Sequence, residues 1–173
     1  MTLDPIVTAP LAVQVHVVAA TVAILIGPVA LYRARRDMLH RLVGRMWVLA
    51  MATLAISAIF IPAAVLPLLG PFGPIHAFVI WTLYSLTRGM RAIFRRDIAA
   101  HQAEMRALYW QALGITGVLT LLPGRRLNAV LFGDAEMMGF WVMLALAVGT
   151  ILVLWLRRTG RLGQAGQAGR QII

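Results

Sequence analysis

Cysteine is missing from the 173 residues, and every basic residue is arginine, so lysine is missing too. The first absence excludes disulfides, thiolate metal sites, iron–sulfur clusters and cysteine nucleophiles. Carboxylates are scarce. Most of the six Asp and Glu fall in expected loops or helix caps, which leaves no pair for acid–base catalysis. No triad or Ser-x-x-Lys-like arrangement occurs, and no glycine-rich phosphate loop joins a strand to a helix. Residues 1–10 hold no basic residue, so they lack the positive region of a secretory signal, and the first apolar run is expected to be retained. Charge is thin throughout, 13% of residues against about 25% in soluble domains.

What the chain has instead is apolar length. Hydrophobic residues make up 61% and the mean hydropathy is +0.83, the composition of a membrane protein. The net charge of +10 does not point to nucleic acid, because the arginines cluster between apolar runs, as membrane insertion leaves them. The pattern predicts an all-α, polytopic bundle of five transmembrane helices over residues 1–158, with a disordered cytoplasmic tail over 159–173. The first helix covers 10–32, long enough for about 30 Å of hydrocarbon, with Gly27-Pro28 a candidate kink. The second runs from 38 to about 69, longer than one bilayer, so it projects or bends at Pro62 and Pro67. The third begins at Ile75-His76 and ends near 94, the fourth covers 98–122, and the fifth 138–156. Asp37 and Asp97 are candidate N-caps of the second and fourth helices.

Five spans put the termini on opposite sides, and arginine counting orients them. Segment 33–45 holds five, 88–106 five and the tail four, against Arg125 and Arg126 on the other side. The N-terminus is therefore expected outside and the C-terminus in the cytoplasm of a bacterial cytoplasmic membrane. In that frame the four histidines sort into pairs. His16 and His76 lie in the outer half of helices one and three, His40 and His101 in the first turn of helices two and four. At about 1.5 Å per residue, each pair is roughly level.

Ionisable groups within a bilayer are costly and usually functional, and bundle cores hold cofactors through side chains on facing helices. Two neutral imidazoles per pair suit the axial positions of haem iron. The expectation is two b-type haems, an outer one on His16 and His76 and an inner one on His40 and His101. Arginine forks suit haem propionates: Arg125 and Arg126 for the outer haem, and Arg41, Arg45, Arg88, Arg91 or Arg106 for the inner. The small residues Ala20, Ala23, Gly27 and Ala30 on the His16 face, and Gly44 one turn after His40, offer room for a flat macrocycle. Plainer explanations stand beside each point. An interfacial histidine is commonly solvated, a lone intramembrane one is commonly a hydrogen-bonded core residue, and small residues let helices pack closely. A single haem, a zinc site and a proton relay are the other cofactor-level alternatives. The five tryptophans suit belt or packing positions, and Tyr84 and Tyr109 suit packing more than an electron path.

Two resemblances follow from these residues. The series His16, Tyr32-Arg33, His40-Arg41-x-x-Gly44-Arg45, His76, His101 and Leu122-Pro123-Gly124-Arg125 resembles an uncharacterised bacterial family of small predicted membrane proteins, which implies a fold and no activity. The histidine layout is similar to that of the cytochrome b561 di-haem electron carriers, in which four consecutive helices supply one histidine each. That resemblance implies four core helices, an uninvolved fifth, His16/His76 as outer ligands and His40/His101 as inner ligands. It also puts Arg33, Arg35 and Arg36 where a cytoplasmic reductant binds. The expected function is transmembrane electron transfer through two bis-histidine haems. As an enzyme this would be a quinone, ferric or small-molecule reductase, with a quinone, a small electron donor or acceptor, or a redox protein as partner. The alternative is a haem-free transporter or accessory subunit that uses the histidines for protons or metal.

Overall fold

The computed structural model describes residues 3–63 and 68–168, and every regular element among them is helical. In order these are α1 (Asp4–Val7), α2 (Leu11–Tyr32), α3 (Met38–Ile59), α4 (His76–Phe94), α5 (Ile98–Leu108), a π-helical stretch (Tyr109–Ile115), α6 (Thr116–Leu119), α7 (Arg126–Phe132) and α8 (Met137–Ala168). The chain divides into two compact units, one ending at Leu119 and the other beginning at Thr120. Three helices are long and apolar enough to cross a membrane: Leu11–Tyr32, Met38–Ile59 and Met137–Arg158. Arg88 and Arg91 interrupt α4, and α5 is only 11 residues long before the π-helical stretch.

In the first unit successive helices pack side by side: α2 on α3, α3 on α4, and α4 on α5. The ring closes where α2 meets α5 and the π-helical stretch, which leaves α2 and α4, and α3 and α5, across the diagonals. All four walls feed one core. Trp47, Met51 and Leu108 are at most 1% exposed, among Ala19, Ala23, Ala30 and Met105.

Closure depends on Pro28. Proline has no N–H, so the carbonyl four residues back, at Ile24, loses its helical donor. In a membrane such a carbonyl needs another partner. The hydroxyl of Tyr109 donates to Ile24 O at 3.3 Å, and the buried Trp47 indole donates to Ala23 O at 3.1 Å. Gly27 makes both approaches possible. A Cβ there would run into the Tyr109 ring and stand 3.1 Å from Trp47 Nε1. The small-residue face of α2 thus holds tryptophan and tyrosine, which is the close-packing role of small residues.

The helix ends follow local chemistry. Asp37 caps α3, accepting from His40 N–H at 3.0 Å, and Asp97 caps α5, accepting from Ala100 N–H at 2.9 Å. Helix two stops at Ile59, ten residues short of the expected end, because Pro62 disfavours helix at the residue before it. Pro67 lies outside the described residues. A turn with Gly70 at φ +59° pairs Leu69 with Phe72 before α4.

In the second unit, Asn128 is fully buried and ties its loop together. Its amide donates to the carbonyls of Leu121 and Glu136, while Gly124 N–H donates to the Glu136 carboxylate at 3.1 Å. α8 continues to Ala168, ten residues past the expected start of the tail, even though Gly160, Gly163 and Gly166 there are poor helix formers. Residues 169–173 lie outside the described residues.

Candidate functional site: the histidines and the basic end

The turns 33–37 and 95–97 lie at the same end of the first unit, and all ten of that unit's arginines gather there. His40 and His101 sit at this basic end, in the first turns of α3 and α5, which run in the same direction. Trp47 on α3 and Tyr109 on α5 reach adjacent carbonyls of α2, those of Ala23 and Ile24. Their side chains therefore share a level. His40 precedes Trp47 by seven residues and His101 precedes Tyr109 by eight. At about 1.5 Å per residue, the two histidines lie at the same depth to within about 2 Å.

The ring nitrogens of this pair are differently engaged. His101 Nδ1 is 2.8 Å from the carbonyl of Gly89. A carbonyl only accepts, so Nδ1 carries the proton and Nε2 of the neutral ring keeps its lone pair. That is the second-shell bond which orients a metal-ligating imidazole. Gly89 allows the approach, since a Cβ there would meet the Met105 side chain. His40 Nδ1 is buried and has no hydrogen-bond partner, an uncommon state for a buried polar atom. A Cβ on neighbouring Gly44 would meet nothing within 4 Å, so the space one turn above His40 is open.

The opposite end is wired differently. His16 Nδ1 donates to the carbonyl of Leu54 at 3.1 Å and lies 3.2 Å from Ser57 Oγ, tying α2 to α3. The Ser57 hydroxyl itself donates to Leu54 O at 3.0 Å. His76 Nδ1 accepts the backbone N–H of Gly73 at 3.1 Å, and its ring stands edge-on to Phe72. An accepting Nδ1 puts the proton of the neutral ring on Nε2, which then donates and cannot ligate. As bonded here, the His76 ring does not fit an axial ligand. Nδ1 of His40, Nε2 of His101 and Nε2 of His16, whose Nδ1 donates to a carbonyl as that of His101 does, are free to ligate.

The arginines are mostly engaged or turned away. Arg33 pairs with Asp37, whose carboxyl is held well below the usual carboxylate range by that guanidinium and by the His40 N–H. Arg88 pairs with Glu104 at 2.8 Å and covers the Tyr84 ring, and Arg106 lies over Tyr32. Tyr32 also accepts from the Trp110 indole at 2.8 Å. Arg41, Arg45 and Arg91 are exposed. On α3, Arg45 falls on the face turned away from buried Trp47, whereas His40 falls on the Trp47 face. Arg45 is thus not directed where a propionate beside His40 would lie. Arg125 and Arg126 belong to the second unit. Among the described residues no three His, Asp or Glu side chains gather as a zinc site requires.

Sequence alone could not give these partners, but Pro28 was a usable signal for one of them: it announces an orphan carbonyl at Ile24 and hence a donor across the bundle. No curated protein and no solved structure matches the chain. A family described as predicted membrane proteins (DUF2306) matches residues 13–156. That match covers most of the sequence, and the chain belongs to this family of membrane proteins.

Proposed function

We propose that the protein is a membrane electron carrier of cytochrome b type, with His40 and His101 as the axial pair of a b-type haem at its basic end. The observation that carries this is the pair of unclaimed imidazole nitrogens, level with each other on diagonal helices. Bound there, haem supplies a reversible one-electron iron couple. The chain's own part is to fix the His101 tautomer through Gly89, to keep the site beneath the dry layer of Trp47, Met105 and Leu108, and to hold α3 and α5 at matched depth. Electrons come from and leave to a quinone, a small molecule or a redox protein.

This proposal includes five spans, because α4 and the α5–α6 run pack beside α2 and α3 and would share their bilayer. It puts the arginine-rich end in the cytoplasm of a bacterium and the N-terminus outside. A second haem on His16 and His76 would require the His76 ring to release Gly73 and transfer its proton.

The visible spectrum of the detergent-purified chain tests this. Wild type should show reduced-state cytochrome bands on adding dithionite, lost in both His40→Ala and His101→Ala. Colourless wild type, or bands unchanged in those two variants, overturns the proposal. A haem-free proton path is the rival. It draws on the His16–Ser57 contact between two spans, and colourless protein with activity sensitive to His16→Ala would favour it.

A further inference from the structure

Arg41 and Arg45 lie in the first two turns of a helix apolar enough to cross a membrane. Arg45 is seven residues past the start of α3, about 10 Å along its axis. Both are exposed, and among the described residues the ion pairs are Arg33–Asp37 and Arg88–Glu104. A guanidinium at that depth facing outward is costly unless it snorkels to an anion. The residues sharing its face are apolar and exposed: Leu42, Met46 and Leu49. Whatever meets this face must present a negative head to the arginines and a hydrocarbon chain to the residues above.

We propose that Arg41 and Arg45 form a phosphate-binding fork for an anionic phospholipid, with its acyl chain along Leu42, Met46 and Leu49. The two arginines are four apart on one helix face, and guanidinium forks match phosphate geometry. An acidic protein docking from the aqueous side would meet the turn arginines, Arg35 and Arg36, before reaching this depth.

The test is native mass spectrometry of the full chain released from nanodiscs containing equal phosphatidylglycerol and phosphatidylcholine. Wild type should retain phosphatidylglycerol preferentially. Arg41→Gln and Arg45→Gln should each lower that preference about fivefold, and the double variant by more than tenfold, since each basic residue near an anionic surface contributes about that factor. Arg35→Gln/Arg36→Gln, in the turn outside the span, should lower it less. Equal retention in the wild type and the Arg41/Arg45 double variant overturns the site. So does an equal or larger loss in the Arg35/Arg36 pair, which would mean a diffuse collar. Displacement of the lipid by inorganic phosphate or by soluble polyglutamate would make the site one for a free anion or an acidic protein, and would also overturn it.

Discussion

The two ends of the four-helix unit differ in one histidine of each pair. At the end away from the arginines, His16 and His76 work as connectors, one joining α2 to the Leu54 carbonyl of α3, the other capping the turn at Gly73. At the basic end, His101 is oriented by Gly89 and His40 keeps a buried nitrogen without a partner. Each end holds one ring that donates through Nδ1 and keeps its Nε2 lone pair, His16 at the first and His101 at the second; the difference lies in their companions, since His76 accepts through Nδ1 and His40 keeps that atom buried and unpartnered. Helical periodicity alone makes the pairs look equivalent, and the backbone groups beside each ring separate them.

Substitution should expose that asymmetry. The largest effect expected is all-or-none: His40→Ala or His101→Ala abolishes the reduced-state bands, while His76→Ala keeps them and lowers stability by about 1 kcal/mol through the lost Gly73 bond. Equal bleaching by all three would erase the difference between the ends. Next comes Trp47→Ala, which empties the layer shared by both ends. Thermal unfolding in detergent should register a loss of about 3–5 kcal/mol. Gly89→Ala should be smaller and one-sided. Its new Cβ meets Met105, a cost of about 1–3 kcal/mol, and it should shift the spectrum through His101 while leaving His76→Ala additive.

The two caps of the basic end differ in their partners. Asp37 is paired with Arg33 and has a lowered pKa, whereas Asp97 caps α5 without an ion pair among the described residues. A carboxylate with a depressed native pKa contributes stability that is present above its unfolded value and lost as pH falls through the native one. Stability should therefore decline below the ordinary aspartate range in wild type and decline less steeply in Asp37→Asn. Unfolding temperatures measured from neutral to acidic pH check this.

Much of the frame was legible because local rules set it. The bounds 11–32 and 76–94 follow apolar runs and turn residues, and both aspartate caps follow a polar residue placed before an apolar helix. Helix two was overextended because an apolar tail after Pro62 looks helical by composition, while the proline acts on the backbone. The π-helical stretch and the histidine partners depend on side chains arriving from other helices, which periodicity does not encode. The expectation of propionate partners in Arg41 and Arg45 rested on nearness in sequence, whereas direction depends on the helix face. The angular offset from Trp47 on one helix turns Arg45 away from His40.

The smallest predicted effect concerns the clamp that sets the ends at their separation. Tyr109→Phe removes one hydrogen bond and leaves the Ile24 carbonyl without a donor, a loss of about 1 kcal/mol. Pro28→Ala gives that carbonyl back its helical N–H, and the tyrosine hydroxyl then has a competitor for the same acceptor. The two substitutions should not add: in the Pro28→Ala background, Tyr109→Phe should cost nearly nothing, a coupling of about 0.5–1 kcal/mol. Additive losses would mean that Tyr109 holds α2 through its ring alone, packed on Gly27. The matched depth of His40 and His101 would then rest on packing at that glycine, and Gly27→Ala would become the variant that shifts the haem spectrum.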